Sequence, residues 1–194
     1  MIDPKSCIKK SDSELVNLTL ENQEYFICLM ERYRSPLIRY IRRLSSLDYD
    51  PAEDVLQDVF IKVYQNLNDF DQSLKFSSWI YRITHNQVIS NFRKLASRPE
   101  HINFDLDSNL LNNIVSELNI EAEANNKLNQ EIIFKILNRI DIKYREVLIL
   151  KFFEDKSYTE ISDILKKPMG TVATLLNRAK KEFARELINS KIKI

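Results

Sequence analysis

The chain has 194 residues, nearly balanced charge (29 Lys and Arg against 28 Asp and Glu) and a single glycine, Gly170. That length suits one or two domains with a buried core, no apolar run approaches the roughly 18 residues of a membrane helix, and one glycine cannot build a P-loop or a dinucleotide-binding turn. The two histidines, His85 and His101, are not at i,i+4 spacing and have no cysteine nearby, so neither a metal site nor a nucleophile–base–metal set of the enzymatic kind is expected, and no cofactor is implied.

From the N-terminus, "MIDPKSCIKKSDSEL" contains no apolar segment of the secretory type. Cys7 and Cys28 lie far apart and form no C-x-x-C; free thiols in a cytosolic chain are the expectation, and a disulfide is not. Ser11–Glu14 reads as a capping box that opens a helix, and Asp50–Glu53 as a second, with Pro51 at the first helical position. After it Leu56, Phe60, Val63 and Leu67 recur on one helical face.

Residues 75–94, "KFSSWIYRITHNQVISNFRK", interleave Phe76, Trp79, Tyr81 and Phe92 with Lys75, Arg82, His85, Arg93 and Lys94. Aromatic faces stack on unpaired bases and cations follow a nucleic-acid backbone. The same rings at helical spacing also read as core. Ile80, Ile83, Val88 and Ile89 already provide an apolar face, which leaves some of the aromatics for the surface.

Residues 97–126 contain Pro99, many asparagines and the acids Glu100, Asp105, Asp107, Glu117, Glu121 and Glu123. They read as a flexible acidic linker. The charges are sorted along the chain: acids dominate from Asp48 to Asp71, none occurs from Lys75 to Arg98, and the end from Lys166 is basic again. Such blocks suit different partners for different segments, or solvated helix faces. No period-2 alternation stands out. The predicted fold is all-α, with two small helical domains at 11–96 and 127–190 on either side of the linker.

The second domain ends in "SYTEISDILKKPMGTVATLLNRAKKEF", residues 157–183. A third capping box, Ser157–Glu160, starts a helix that buries Ile161, Ile164 and Leu165. Pro168 stops it, and Gly170 is expected in the turn, where a positive φ or a close backbone approach excludes a side chain. The next helix turns Val172, Leu176, Ala179 and Phe183 inward and presents Thr174, Asn177, Arg178 and Lys181. This is the pattern of a helix-turn-helix whose second helix offers Thr174 and Asn177 to base edges and Arg178 and Lys181 to phosphates. An ordinary helical hairpin with a solvated face has the same pattern.

Taken together, "PAEDVLQDVFIKVYQNLNDFDQSLKFSSWIYRITHNQVISNFRK" resembles region 2, and "LNRIDIKYREVLILKFFEDKSYTEISDILKKPMGTVATLLNRAKKEF" resembles region 4, of bacterial σ70-type sigma factors of the extracytoplasmic-function (ECF) group. The resemblance covers about Leu15 to Leu187. It implies a cytoplasmic promoter-specificity subunit of RNA polymerase, not an enzyme, with core polymerase, promoter DNA and an anti-sigma factor as partners. On matching positions, Asp54, Gln57, Asp58, Phe60 and Lys62 would bind core polymerase. Phe76, Trp79, Arg82, His85, Asn86, Arg93 and Lys94 would engage the −10 element as single strand, one base flipped into a pocket. Thr171, Thr174, Asn177, Arg178 and Lys181 would read the −35 element.

The chain departs from the family at several positions. Ala173 and Leu175 stand where region 4 usually carries cations, Ser90 stands for a usual aspartate, His85 for a frequent arginine, and "DIKYRE" lacks a common proline. The alternatives are a sigma-like interaction protein that acts mainly through protein partners, and a helix-turn-helix regulator with an unrelated first domain.

Overall fold

The structure is a computed structural model that describes residues 7–95 and 130–189. The predicted linker, 97–126, lies outside the described residues, as does His101. Every regular element among the described residues is helical, as the patterning predicts. The chain divides into two compact units, and each is considered by itself.

In the N-terminal unit, α1 (Asp12–Glu21) begins at the expected capping box. Ser11 Oγ accepts from the Glu14 N–H at 3.2 Å, and Glu14 Oε2 accepts from the Ser11 N–H at 2.6 Å. These bonds to Ser11 satisfy two orphan donors and hold the Glu14 carboxyl below its usual range. A short 3₁₀ turn, Gln23–Tyr25, leads into α2 (Phe26–Ser45), which carries Pro36 inside it and ends on Ser46 in the left-handed conformation (φ 58°). α3 (Tyr49–Gln65) and α4 (Phe76–Leu95) follow. α2 packs on α3 and α4, α3 packs on α4, and α1 lies on α2.

The predicted box at Asp50–Glu53 does not form. α3 starts at Tyr49, with Asp48 as N-cap and no side-chain capping bond. Asp50 and Pro51 therefore fall inside the first turn, where a missing N–H loses no helical bond. Glu53 is instead paired with Arg34 at 2.6 Å.

The expectation of free thiols is also overturned. Cys7 and Cys28 form a disulfide with Cα atoms 5.9 Å apart, because the turn ahead of α1 folds back onto α2. The Arg32 guanidinium holds that turn, donating to the carbonyls of Cys7 (3.0 Å) and Lys10 (2.6 Å) and to Asp12 Oδ1 (2.7 Å).

Rings fill the base of this unit. Phe70 lies 5.4 Å from Phe76 and 5.1 Å from Trp79, centroid to centroid, and Tyr33 lies 5.5 Å from Phe76. The Tyr33 hydroxyl donates to Asp12 Oδ2 at 2.5 Å, and burial together with that carboxylate pushes its pKa far up. Buried aromatic side chains of this kind carry large apolar areas and dominate a small core.

The C-terminal part of the chain contains α5 (Gln130–Arg139), α6 (Ile142–Leu148), α7 (Tyr158–Leu165) and α8 (Met169–Asn189), all of which fall in the second unit except Asp163–Leu165 at the end of α7. α6 runs directly into a π-helical turn, Ile149–Phe153, closed by the Glu154 N–H on the Ile149 carbonyl at 3.1 Å. α5 and α6 both pack on α8. Arg145 is buried, and it donates to the carbonyls of Leu137 (2.8 Å), Asn138 (2.8 Å) and Ile140 (3.4 Å). It thereby satisfies backbone acceptors where α5 ends. Burial lowers the Arg145 pKa to about 10.

Candidate nucleic-acid interface

Three helical faces carry the predicted site residues. On α3 the buried stripe is Leu56, Phe60 and Val63, with Leu67 in the 3₁₀ turn that follows. Asp54, Gln57, Asp58 and Lys62 point to solvent from the other side. Phe60 is therefore a core residue and not a contact surface; its ring sits edge-on to Phe26 at 6.4 Å. Beside the polar residues, Ile61 and Tyr64 are exposed, and Tyr64 is fixed by its ring contact with Phe26 (5.2 Å) and its bond to Gln23 (2.9 Å). Sequence reasoning passed over both. The signal was available, since both fall off the buried stripe of α3.

On α4 the predicted residues separate. Phe76, Trp79 and His85 are buried, with 3%, 7% and 8% of their surfaces exposed. The expectation that these three side chains face nucleic acid is corrected: in this fold Phe76 and Trp79 join the ring cluster, 5.6 Å apart. His85 Nδ1 shares a buried hydrogen bond with the Tyr40 hydroxyl at 3.1 Å. The rings displace the isoleucines that were expected inside: Ile83 and Ile89 are only half-buried. Arg82 and Asn86 remain at the surface, half-buried and exposed respectively. They are four residues apart and share one face. Arg93 follows at the same helical register and Lys94 beside it; the side chains of both lie outside the described residues.

On α8 the inward and outward faces fall as predicted. Val172, Leu176, Ala179 and Phe183 are buried. Thr171, Thr174, Asn177, Arg178 and Lys181 are all exposed, and the threonines stand near the helix start, where a groove-entering helix presents its base-contacting residues. The Thr174 hydroxyl donates to the Gly170 carbonyl at 2.9 Å, which fixes its rotamer and leaves its oxygen free to accept.

The turn before α8 is built differently from expectation. α7 does start at the Ser157–Glu160 box, and Ile161 and Ile164 are buried as predicted, with Leu165 half-buried. The left-handed residue is Lys166 (φ 52°). Its neighbour Lys167 donates its N–H to Ser162 O at 3.2 Å, and Ser162 Oγ donates to Lys167 O at 2.6 Å. Gly170 does not take a positive φ; it lies in the first turn of α8, and a Cβ added there would meet nothing within 4 Å. The only glycine is therefore not the hinge of the turn.

Lys143, at the start of α6, was also missed. It is paired with Asp141 at 3.0 Å, which raises its pKa, and it feels the charge of Arg178 on α8. The cationic end of the unit thus draws on two helices that are far apart in sequence, which periodicity cannot reveal.

Comparison with known proteins fits this layout. Residues 29–98 match the family described as Sigma-70 region 2, and residues 130–183 the family described as Sigma-70, region 4. The ECF RNA polymerase sigma factor SigW of Bacillus subtilis is 32% identical over 176 residues, covering 86% of this chain and 90% of the relative.

The chain belongs to the ECF group of sigma-70 factors.

The ECF sigma-E factor of Escherichia coli K12 is 30% identical over 167 residues, covering 80% of this chain and 84% of the relative. Among solved structures, the fold is similar to that of CnrH in complex with the cytosolic domain of CnrY (TM-score 0.68, 22% identity, 93% of this chain and 99% of that one). It is also similar to RpoE of Bartonella quintana in complex with the anti-sigma factor NepR (TM-score 0.61, 22% identity, 87% and 97%). As a sigma factor the chain is a promoter-specificity subunit that directs RNA polymerase to promoter DNA, and it is not an enzyme. No described helix is long and apolar enough to cross a membrane.

Proposed function

We propose that the three exposed faces divide the work of this sigma factor. Asp54, Gln57, Asp58 and Lys62, flanked by Ile61 and Tyr64, form the polymerase-binding face of α3. Arg82 and Asn86, continued by Arg93 and Lys94, hold the single-stranded −10 element along α4. Thr171, Thr174, Asn177, Arg178 and Lys181 read the −35 element from α8. The observation that carries this reading is the surface left after packing: each helix commits its apolar stripe to a core and keeps polar, hydrogen-bonding or cationic side chains on one other face.

Phosphate contacts from Arg178 and Lys181 position α8, while Thr174 and Asn177 address base edges. Because Ala173 and Leu175 are half-buried and uncharged, fewer cations meet the backbone here, and Lys143 supplies one from α6. Strand separation draws on binding energy at Arg82 and Asn86, with no nucleotide hydrolysis. The chain acts in a bacterial cytoplasm and accepts an anti-sigma factor, as RpoE of Bartonella quintana does in its complex with NepR.

The test is transcription in vitro with core polymerase and a randomised promoter library. Arg82→Ala with Asn86→Ala is expected to retain polymerase binding and to lose open complexes at least tenfold. Asp54→Ala with Gln57→Ala is expected to lose polymerase binding. Arg178→Ala with Lys181→Ala is expected to weaken promoter binding and reduce its salt dependence by about one unit of slope per phosphate contact. Polymerase binding without initiation on any promoter would refute the reading and support an interaction protein.

A further inference from the structure

The sulfur pair at the N-terminus, Cys7 and Cys28, belongs to none of the three proposed binding faces. Cys7 lies in the turn before α1 and Cys28 near the start of α2, and both are almost fully buried. They enclose a segment with a sequence separation of 21 that contains the whole of α1. The Arg32 guanidinium holds the turn against α2 through the carbonyls of Cys7 and Lys10, so the two sulfurs meet at a site that hydrogen bonds organise independently of the bond between them. The same guanidinium binds Asp12, whose other carboxylate oxygen accepts from Tyr33. Tyr33 packs on Phe76, and Phe76 on Trp79. A continuous set of contacts therefore runs from the sulfur pair to the base of α4.

We infer that Cys7 and Cys28 form a reversible thiol–disulfide site which, closed by a low-molecular-weight disulfide such as glutathione disulfide, fastens the N-terminal turn onto α2 and braces the ring cluster beneath α4. This rests on the reading that the chain acts in a cytoplasm, where a disulfide is a transient state and not a permanent staple. Cys7 is the sulfur on the segment that must lift from α2. Its thiolate attacks glutathione disulfide, forms a mixed disulfide and releases one glutathione thiolate. The Cys28 thiolate then attacks the Cys7 sulfur and expels the second. Two protein thiols lose two protons and two electrons, and one glutathione disulfide becomes two glutathione thiols. Opening reverses both steps. The closed form constrains the ensemble that α1 and its turn otherwise sample when unfolded, and it reaches α4 through Asp12, Tyr33 and Phe76.

The test uses the full chain equilibrated across mixtures of reduced and oxidised glutathione, quenched with an alkylating reagent and weighed by mass spectrometry. The chain contains one tryptophan, Trp79, so its emission reports on the ring cluster directly. Expected is a single transition from two alkylated thiols to none, a melting temperature several degrees higher for the closed form, and a shift in Trp79 emission with the same midpoint. Cys7→Ser, in the turn, is expected to abolish all three dependences. Two alkylated thiols at every ratio would overturn the proposal, as would a bond between two chains, or equal melting and emission in both forms. None of these readouts needs polymerase or DNA, so failure here and failure of the promoter reading are distinguishable.

Discussion

Gln87 on α4 donates its side-chain amide to Asp58 Oδ2 on α3 at 2.9 Å. Its carbonyl accepts from Lys62 Nζ at 2.5 Å. One buried glutamine thus orients two exposed charges of opposite sign on the proposed polymerase-binding face. Gln87→Ala is expected to destabilise the N-terminal unit by about 1 kcal/mol. A double-mutant cycle with Asp58→Ala, read by urea unfolding, should return a coupling of about 0.5–1.5 kcal/mol; zero coupling would remove Gln87 as the organiser of that face.

The Tyr40–His85 bond makes a different demand. Tyr40 and His85 are both buried, so Tyr40→Phe removes a partner from a ring nitrogen that water reaches poorly. The expected loss is roughly 1–3 kcal/mol, measured by denaturant midpoint, with no direct effect on promoter contacts. An unchanged midpoint together with weaker promoter binding would return His85 to the DNA-facing role.

Trp79→Ala should empty part of the ring cluster and cost about 3–5 kcal/mol. Chemical denaturation and near-UV dichroism would record the loss before any transcription assay. Full stability with defective promoter opening would show that the ring serves the DNA and not the core.

Glu146 gives the C-terminal unit a pH dependence. Burial is the main cause that lifts its pKa to about 7 from the ordinary 4.5; Lys167 opposes the rise and Asp141 adds to it. The folded pKa is the higher one, so the folded state binds the proton more tightly. The resulting stabilisation is complete below the unfolded value and is lost as pH rises through 7. The unit should weaken by up to roughly 3 kcal/mol between pH 4.5 and pH 8 from this group alone. Glu146→Gln should flatten that slope, measured by amide exchange in α6. An unaltered slope would assign the dependence elsewhere.

Gly170→Ala should stabilise. The position is helical and open, so a methyl group meets nothing, and alanine loses less backbone entropy. The gain is expected at about 0.5–1 kcal/mol. A loss of stability would mean that the turn needs the glycine after all.

What the sequence revealed was what is decided locally. The Ser11 and Ser157 boxes were legible because all partners lie within three residues. The inward face of α8 was legible because period 3.6 sorts Val172, Leu176, Ala179 and Phe183 unambiguously. What stayed hidden depends on distant segments. Trp79 is buried because Phe70 meets it from the segment before α4. His85 is buried because Tyr40, 45 residues earlier, supplies its bond. The aromatic helix therefore looked equally suited to stacking on bases and to packing, and tertiary contacts decided for packing at the three buried positions. The Asp50 box was misread because α3 begins at Tyr49, upstream of a motif that is sound in isolation.

The wide turn at Ile149–Phe153 has an arithmetical consequence. A π turn holds one residue more than the same length of α-helix, and each residue in an α-helix advances the chain by about 100°. Excising a single residue there would wind the segment back to ordinary pitch and leave the direction of the chain beyond it nearly unchanged, because five residues of the wide turn sweep about the same arc as four of α-helix. Ile149, Leu150 and Phe152 are buried, so the surplus residue is absorbed inside the core, and the segment that leads to Ser157 keeps its heading.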